Sequence, residues 1–481
     1  MMRQFATAAA LFCAHALATI DSFAYLDTCS EIQSVISSAS RVDYLLDLAY
    51  LPAINHWYES SSEASACVLN AGSTEDVAAA IKIIGNRQVP FAIKSGGHAT
   101  NPGFSSTPGV HIWFDKYKSV TLSSDKQTAL VGAGAIFSDV YNALDGTGVT
   151  INGGRVPGPG VGGFTLGGGF SWWTNQYGLT CDTVKSFTLV APNGTIIHVD
   201  SSKPDLFFAL KGAGNRMGIV TEFEYYTHLQ GDVYGGLILL PQDDIVSLVE
   251  DTKVFAQQNK DPKVQIINVL DVTILGISSQ LLVFHDAPYE PDSLKPFDKY
   301  HDAFINDVKV QSVSSFVSAI PAVLGGSLRG TFNTISVTNL TSTYLDAVYA
   351  EAQAVQKIIG LHGGRDFRFE IEPFLPTHGQ HATDSAYAHA DSPLPLNLDV
   401  SWSNPLDDEF WIDYTDGVVA RLRQLAQSEN ILSPQTYSNY AATGTSADQL
   451  FGVENAARVR KIRDEIDPNN VMDLAGGFNL H

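Results

Sequence analysis

The sequence predicts an α+β protein with two main domains, and three observations support this fold class. The chain has 481 residues, enough for two or three domains with separate cores. Its 40 glycines are unevenly placed and become sparse after Gly231. From there to about residue 430, strand-like and helix-like segments alternate at ordinary spacing. This pattern favours a second domain with an antiparallel sheet backed by helices.

The charge balance narrows the possible partners. The chain has 29 basic and 51 acidic residues, a formal net charge of −22. Such a surface repels nucleic acid and anionic membranes. After the first 24 residues, no apolar run is long enough to cross a bilayer. We therefore expect a monomer that acts on a small molecule and binds neither nucleic acid nor a membrane.

Residues 1–24 have the pattern of an export signal. Arg3 supplies the positive start, and residues 5–17 form an apolar run too short to span a membrane. Small residues allow cleavage after Ala18 or after Ala24. The alternative, a buried first helix, lacks an amphipathic period and a cap. We expect a secreted, extracellular protein.

The cysteines agree with an oxidising compartment. Cys13 is lost with the signal, which leaves Cys29, Cys67 and Cys181. One disulfide and one free thiol is the simplest arrangement. We expect the bridge between Cys29 and Cys67, because both precede the glycine-rich segment, and a buried thiol at Cys181. The N-glycosylation patterns, which matter only after export, begin at Asn193 and Asn339.

The elements before residue 231 follow one another at short intervals. A capping sequence at Ser73 begins a helix that ends near Gly85. Hydrophobic alternation and turn signals then predict strands at 110–114, 119–122, 128–131, 187–190, 195–199 and 219–225, and helices at 136–144 and 204–210. In the second part the predicted strands are 236–240, 264–272, 280–284, 367–371 and 396–402, and the helices are 245–257, 344–359 and 410–426. The last segment, residues 430–481, is expected to return to the first domain.

A buried strand that ends at Ile93 leads into a glycine turn and a histidine. Gly96 and Gly97 carry no Cβ, so their backbone N–H groups can approach a ligand closely. His98 follows at once and places a nucleophilic imidazole at the mouth of the turn. In isolation a surface turn with a chance histidine would be the preferred interpretation of these residues. With the glycines that follow, they predict a site that binds a phosphorylated cofactor and bonds to it.

Residues 153–169 contain a second and longer run of glycines. Gly158, Gly160 and Gly163 match the spacing of a Rossmann fingerprint, and Asp182 lies near the position of its ribose-binding acid. We reject that interpretation because prolines lie inside the motif and three glycines at 167–169 interrupt the helix that it must open. The composition instead favours an irregular loop whose amides surround an anion and whose bare backbone accommodates a flat ring.

These motifs together resemble the secreted flavin-linked oxidases of the berberine-bridge-enzyme group, within the vanillyl-alcohol-oxidase superfamily. Residues 94–98 resemble its flavin-attachment motif, and residues 161–182 resemble its pyrophosphate and isoalloxazine loop. Residues 205–221, 437–440 and 467–469 complete the pattern. The resemblance covers about residues 57–229 and 430–475, in order.

The resemblance implies a PCMH-type FAD-binding domain at residues 25–229, a substrate domain at 230–429 and a C-terminal segment at 430–481 that rejoins the first domain. His98 would carry FAD covalently through the flavin 8α-methyl group. Val156 stands where some relatives have a cysteine that forms a second bond, so we expect one covalent link only. Pro159 stands at the position that admits or blocks dioxygen in relatives.

The residues that the resemblance assigns to the cofactor come from both glycine segments and from later motifs. They are Lys94, Ser95, Gly96, Gly97, His98, Gly154, Val156, Pro159, Gly160, Gly162, Gly163, Gly167, Gly168, Gly169, Tyr177, Asp182, Gly218, Ile219, Val220 and Asn439. We expect no metal.

The catalytic base has several candidates. The resemblance points to Tyr437, with Tyr440 as its competitor, because alternate positions along a strand face opposite ways. Carboxylates of the substrate sheet would help, and the candidates at suitable places are Glu370, Glu372 and Asp399. The alternative is that these acids face solvent or pair with Arg368.

The expected activity is an oxidase reaction: a small alcohol, phenol or amine gives hydride to flavin, and dioxygen is reduced to hydrogen peroxide. A carbohydrate oxidase is the first alternative, although relatives with open, oligosaccharide-accepting sites often have two covalent links. A secreted protein that carries flavin without catalysis is the second.

Overall fold

The computed structural model describes residues 23–300, 303–320 and 328–481. The predicted export signal at residues 1–24 therefore lies outside the described residues, except for its last two positions. Helices and sheets are mixed, which confirms the predicted α+β class. Within the described ranges, no helix is long and apolar enough to cross a membrane.

A four-stranded sheet begins the first part of the fold. Its strands are β1 (Arg41–Asp43), β2 (Cys67–Asn70), β3 (Phe91–Lys94) and β4 (Val110–Trp113). The order is β1-β2-β4-β3; β1 is antiparallel to β2, and the other pairs are parallel. Ser73 caps the helix that joins β2 to β3, because its hydroxyl accepts the N–H of Asp76 at 3.1 Å. The strand before His98 is thus a buried edge strand of this sheet.

A five-stranded antiparallel sheet follows. The strands in this stretch are β5 (Val120–Leu122), β6 (Thr128–Gly132), β7 (Val149–Thr150), β8 (Val184–Val190), β9 (Ile196–Val199), β10 (Ile219–Tyr226) and β11 (His228–Leu229). The sheet order is β5-β6-β10-β8-β9, while β7 and β11 form a separate pair. The helices of the first part are α1 (Leu26–Val35), α2 (Tyr50–Ile54), α3 (Thr74–Arg87), α4 (Phe137–Leu144), α5 (Val161–Leu166), α6 (Thr174–Tyr177) and α7 (Pro204–Ala209).

The second part is a large antiparallel sheet. Its strands are β12 (Val233–Leu240), β13 (Val264–Thr273), β14 (Gly276–His285), β15 (Ile305–Asn306), β16 (Lys309–Gln311), β17 (Arg329–Val337), β18 (Gly364–Ile371) and β19 (Leu394–Trp402). The main order is β15-β12-β14-β13-β18-β19-β17, and β16 also pairs with β12. The helices are α8 (Ile245–Gln258), α9 (Val313–Ala319), α10 (Ser342–Gln356) and α11 (Asp408–Ser428).

One face of this sheet packs against helices and the other faces the first part. Phe367, Phe369 and Ile371 of β18 are buried in a core that includes Trp411 and Val418 of α11. The residues between them, which are charged, point to the opposite face because side chains alternate along a strand. This alternation turns a row of charged groups towards the glycine-rich loops.

The C-terminal segment packs against the first part. It carries α12 (Ala447–Phe451) and α13 (Val453–Ile466), whose apolar residues join the core of that part. Ala475 pairs with Phe91 beside β3. Cys29 and Cys67 form the predicted disulfide, and Cys181 is a buried free thiol.

Candidate active site

A cavity of about 390 Å³ lies between the glycine-rich loops and the open face of the large sheet. It brings together most of the residues that the sequence assigned to a cofactor. Those that line it are Ser95, Gly96, Gly97, His98, Val156, Pro159, Gly160, Gly162, Gly163, Gly167, Gly218, Ile219, Val220 and Asn439. Tyr437, Tyr440, Glu370, Glu372 and Asp399, the candidates for acid–base chemistry, line it as well.

Lys94 does not line the cavity, in contrast to the expectation. It is the last residue of β3, and its side chain points away from the side that Ile93 presents. Its ammonium group donates to the carbonyl oxygens of Ala53 at 2.7 Å and Pro52 at 3.1 Å, and also to that of Asn55. Burial lowers the pKa of Lys94 to about 8. Lys94 therefore holds the end of α2 against the His98 turn.

Tyr177 and Asp182 also lie away from the cavity lining. The ring of Tyr177 stacks on His228 with centroids 4.4 Å apart and is 37% exposed. Asp182 is buried, and its carboxylate lies 2.8 Å from Nε2 of His389. Burial favours the neutral acid, but His389 and the hydrogen bonds to Thr383 outweigh it and lower the pKa of Asp182. This ion pair joins the loop after α6 to the loop before β19.

Three glycines that were predicted to bind the cofactor, Gly154, Gly168 and Gly169, lie behind the loop and do not line the cavity. A Cβ on Gly154 would lie 2.6 Å from the ring of Phe137, and one on Gly169 would lie 2.6 Å from the ring of Phe164. A Cβ on Gly168 would contact the ring of Tyr437 at 3.5 Å, and Gly168 has a φ of +110°. Gly154 and Gly169 are glycine because aromatic rings pack on their backbone, whereas Gly168 is glycine because of its positive φ.

The two glycine segments meet at the first wall of the cavity. A Cβ on Gly96 would lie 2.6 Å from the amide nitrogen of Gly160, so only glycine allows this approach. Gly163 and Gly214 line the cavity with no atom within 4 Å of their missing Cβ positions. The wall therefore presents bare backbone to open space, which fits the phosphates and flat ring system of a flavin dinucleotide.

The Rossmann interpretation remains excluded by the geometry. The helix after Gly160 is α5, which has only six residues and ends at Leu166, with Gly167 as its C-cap. The loop follows β7, which pairs antiparallel with β11, so there is no parallel βαβ unit at this point. The glycines serve an irregular loop, as the sequence predicts.

His98 is held in place by Trp57. Its imidazole stacks on the indole of Trp57, with centroids 4.4 Å apart and planes 20° apart. Gly158 lies near the ring, because a Cβ added there would be 3.5 Å from Cδ2. Loss of solvent lowers the pKa of His98 to about 4. The imidazole is therefore neutral at neutral pH and has a ring nitrogen free to act as a nucleophile.

Arg155, which the sequence analysis did not select, lies at the centre of the acid–base wall. Its guanidinium bonds both carboxylate oxygens of Glu372, at 2.6 and 2.8 Å, and donates to the hydroxyl of Tyr440 at 2.7 Å. Burial would lower the pKa of Arg155, but Glu372 and Tyr440 outweigh it and raise it. The available signal was that Arg155 is the only charged residue within 153–169.

Tyr437 and Tyr440 lie on a turn and not on a strand, so the expected opposite orientation is wrong. The N–H of Tyr440 donates to the carbonyl of Tyr437 at 3.2 Å, and their rings pack edge to face at 4.9 Å. The hydroxyl oxygen of Tyr437 accepts the amides of Gly169 at 3.1 Å and Phe170 at 3.3 Å, and Nδ2 of Asn439 at 2.9 Å. Burial raises the pKa of Tyr437 to about 12, although these donors oppose the rise. Burial raises the pKa of Tyr440 well above its ordinary value.

The remaining carboxylates differ in their partners. Asp399 lies 3.0 Å from a guanidinium nitrogen of Arg368 and accepts the hydroxyl of Tyr58 at 2.6 Å. Burial raises the pKa of Asp399 to about 6 despite these contacts. Within the part of the chain that the structure describes, Glu370 has one hydrogen bond, from Nδ2 of Asn397 at 3.1 Å. Burial, followed by the charges of Asp399 and Glu372, raises the pKa of Glu370 to about 7.

Comparisons with known proteins agree with this site. The FAD binding domain family matches residues 65–200. A FAD-dependent monooxygenase of Aspergillus niger, yanF, is 37% identical over 451 residues, which cover 88% of this chain and 74% of that protein. Both walls of the cavity lie within a chain that is similar over most of its length to a flavin-dependent enzyme.

Solved structures share the fold. The 6-hydroxy-D-nicotine oxidase of Arthrobacter nicotinovorans has a TM-score of 0.77 and 19% identity, covering 92% of this chain and 99% of its own. The berberine-bridge-enzyme-like protein 1 of Physcomitrella patens has a TM-score of 0.74 and 18% identity, covering 94% and 98%. The glucooligosaccharide oxidase of Acremonium strictum, with a 6-S-cysteinyl, 8α-N1-histidyl FAD, has a TM-score of 0.76 and 19% identity, covering 92% and 97%. With its FAD-binding segment, its two-walled cavity and a relative that is 37% identical over most of its length, the chain belongs to the FAD-dependent oxidoreductases, and it shares the fold of the berberine-bridge-enzyme-like proteins.

Proposed function

We propose that this protein is an oxidase that carries FAD on His98, oxidises a small organic molecule and reduces dioxygen to hydrogen peroxide. The observation that carries the proposal is the cavity itself, in which a backbone wall with a neutral histidine faces a wall of acid–base side chains. When bound, the flavin supplies the two-electron chemistry: it accepts a hydride from the substrate and passes the electrons to dioxygen.

The chain's own residues suit a single covalent link. The neutral imidazole of His98 lines the cavity and is oriented by Trp57. Val156, at the position of the second link in relatives, has no nucleophilic atom. Cys181 is buried outside the cavity lining, and burial raises its thiol pKa well above the ordinary value, so it is a poor substitute.

The geometry favours Tyr440 over Tyr437 as the group that takes the substrate proton. Three N–H donors already occupy the hydroxyl oxygen of Tyr437; they stabilise its phenolate, but they leave no lone pair on that oxygen free for the substrate proton. The hydroxyl of Tyr440 instead lies beside the guanidinium of Arg155, which stabilises negative charge on the phenolic oxygen, and it can donate its own proton to Glu372 at 3.3 Å. Glu370 is the alternative, because a carboxylate with a pKa of about 7 is well suited to general base catalysis at neutral pH.

Two alternatives keep the same cavity but change the product. The fold is shared with an oligosaccharide oxidase, so a carbohydrate substrate is one. The name of the Aspergillus niger relative suggests the other, insertion of one oxygen atom into the substrate. A protein that carries flavin without turning over is the remaining candidate.

An anaerobic screen distinguishes these functions. The purified holoprotein is mixed with alcohols, phenols, aldehydes, amines, glucose, cellobiose and chitobiose, and the flavin absorbance near ~450 nm is followed. We expect bleaching by one or more of the non-carbohydrate compounds. On admission of air, peroxide should appear in equal amount to the oxidised product, and the product should not gain an oxygen atom. Bleaching by sugars alone, or a product that is heavier by one oxygen, would contradict the proposal.

Export and glycosylation form a separate proposal. The Cys29–Cys67 disulfide suits an oxidising compartment, and both Asn193 and Asn339 are exposed. Expression of the full sequence in a secreting yeast should deliver the protein to the medium, with its N-terminus after Ala18 or Ala24. Endoglycosidase treatment should lower its mass; a protein that stays in the cell with Met1 intact would contradict export.

A further inference from the structure

The wall formed by the large sheet has more negative than positive groups. Strand β18 directs Asp366, Arg368 and Glu370 to the face opposite the apolar core, and Glu372 follows on the same side. The neighbouring strands add Asp271, which is in register with Arg368, and Asp399, which is also in register with it. Five carboxylates therefore share this face, and Glu370, Glu372 and Asp399 among them line the cavity.

Two guanidinium groups oppose these carboxylates, and both are already engaged. Arg368 lies 2.9 Å from Asp366, 3.0 Å from Asp399 and 3.6 Å from Asp271. Arg155 bonds Glu372 with both of its terminal nitrogens. Among the described residues, Glu370 makes no ion pair at all. This wall consequently has no free cation for an anionic substrate and one carboxylate without a counter-charge.

Hydrogen bonding at the same place is also incomplete. Asn397 is opposite Glu370 in the register of β18 and β19, lines the cavity and is 1% exposed. Its amide nitrogen donates to the Glu370 carboxylate, and its Oδ1 accepts no hydrogen bond from any residue that the structure describes. A buried acceptor without a donor is costly. Glu370 and Asn397 together therefore lack hydrogen-bond donors and positive charge.

We propose that the substrate carries a protonated amine and that Glu370 and Asn397 form its recognition site. An ammonium group supplies up to three N–H donors and the missing positive charge at once. A hydroxyl group would supply a donor but no charge, and a carboxylate would supply neither. The site would recognise the amine whether or not the oxidised carbon is next to it. This proposal rests on the proposed function, because it names the substrate class of the same cavity.

Other features of the cavity agree with this assignment. The raised pKa of Glu370, caused by burial and then by Asp399 and Glu372, is the sign of an acid that lacks a counter-charge. Ile267, Val269 and Leu282 line the cavity from β13 and β14 and offer an apolar surface to the hydrocarbon part of the substrate. The combination suits an organic amine better than a polyhydroxylated sugar.

The test uses three probes of similar size and different charge. The holoprotein is titrated at pH 8 with phenethylammonium, 2-phenylethanol and 3-phenylpropionate, and binding is read from the difference spectrum of the flavin. We expect the ammonium probe to bind at least roughly tenfold more tightly than the alcohol, which is about 1.4 kcal/mol, and the carboxylate probe to bind most weakly. Equal affinity for the alcohol, or tighter binding of the carboxylate, would overturn the proposal.

Variants locate the effect. Glu370→Gln keeps the size and shape of the side chain and should bring the affinities for the ammonium probe and the alcohol within about twofold of each other. Asn397→Ala should weaken the binding of the ammonium probe more than the binding of the alcohol. Asp413→Asn removes an exposed charge from α11, on the other face of the sheet, and should change neither. An unaltered flavin spectrum shows that each variant is folded.

The outcome is separable from the proposed function. Selective binding of the ammonium probe that depends on Glu370 supports the recognition site even if no compound of the screen bleaches the flavin, in which case the oxidase proposal fails alone. Bleaching of the flavin by neutral alcohols without preference for cations keeps the oxidase and overturns the recognition site. A loss of selectivity in Asp413→Asn as large as that in Glu370→Gln would also overturn it.

Discussion

The two walls of the cavity are built in different ways. The first wall consists of backbone: Gly96 and Gly160 approach closely, and Gly163 and Gly214 expose bare peptide groups. The second wall consists of side chains, in which Arg155 and Arg368 hold carboxylates from several strands. Backbone walls bind what all members of a cofactor class share, whereas side-chain walls select among substrates. The first wall is therefore suited to cofactor recognition by backbone groups, and the second wall to substrate recognition by side chains.

The two walls also differ in how far apart their residues lie along the sequence. The residues of the first wall come in short continuous runs around His98 and 153–169. The second wall joins residues that are far apart along the chain: Arg155 and Glu372 are separated by 217 positions, and Tyr58 and Asp399 by 341. If the first wall determines cofactor binding and the second wall determines chemistry and selectivity, substitutions in the two walls should have different effects.

The largest expected effect is at the first wall. His98→Ala should completely abolish the flavin that stays attached to the protein in acid, because the proposed covalent link to FAD is made by His98 alone. The check is to precipitate the protein with acid and to measure flavin in the pellet and the supernatant. Cys181→Ser is the matched control and should keep all its flavin in the pellet. A yellow pellet from His98→Ala, or a colourless one from Cys181→Ser, would contradict a single histidyl link.

The second wall should control the chemical step. Tyr440→Phe should slow flavin reduction by roughly 10²–10⁴-fold, because it removes the hydroxyl beside Arg155, while the covalent flavin stays in place. Anaerobic stopped flow with a substrate from the screen measures this rate. Tyr437→Phe serves as the comparison and should have the smaller effect on the rate. If Tyr437→Phe carries the loss, the assignment of the two tyrosines is reversed; if neither does, Glu370 becomes the base.

The ion pair that joins the two walls should contribute strongly to stability. Arg155→Met leaves the buried Glu372 without its partner and should lower the free energy of unfolding by about 3–5 kcal/mol. Urea unfolding, followed by tryptophan fluorescence, measures the change. The double variant Arg155→Met with Glu372→Leu removes both charges and should recover part of the loss. No recovery would mean that the cost comes from packing and not from the unpaired charge.

The disulfide lies in the first part, remote from the second wall. Cys67→Ser should lower the free energy of unfolding by about 2–4 kcal/mol, because the bridge closes a loop with a sequence separation of 38. Flavin reduction should be unaffected once the protein is folded. Cys181→Ser again serves as control. A destabilised protein with a slowed chemical step would contradict the separation of roles.

The smallest expected effect concerns pH. The groups around Glu370 are Asp399 and Asn397 on β19, Glu372 after β18, and Arg155 from the glycine loop. The carboxyl has a raised pKa of about 7, so it is ionised at pH 8 and largely protonated at pH 6. Phenethylammonium stays charged over this range, so its affinity should fall by about tenfold from pH 8 to pH 6. Titrations of Glu370→Gln should show a flat profile; an unchanged slope there would assign the dependence to another group.

Much of the first wall was predictable from the sequence. The glycine turn before His98, the rejection of a Rossmann unit and the absence of a nucleophile at Val156 depend on neighbouring residues. Such features can be recognised from short segments of sequence, because a glycine has no side chain and its residue type alone indicates that the backbone can be approached closely. The family resemblance also assigned Lys94, Tyr177 and Asp182 to the cofactor, but these residues, which lie near the motif in sequence, do not line the cavity. Closeness to a motif in sequence does not determine the direction in which a side chain on a strand or turn points.

The second wall required the tertiary structure. The sequence by itself determined that the sheet would carry Glu370, Glu372 and Asp399, but not which of them would have a partner. Only strand register decided that Arg368 binds Asp399, and only the packing of the glycine loop on the sheet brought Arg155 to Glu372 and Tyr440. The physical reason is that charges act through space over a few ångströms, while the chain separates Arg368 from Asp399 by 31 positions and Arg155 from Tyr440 by 285.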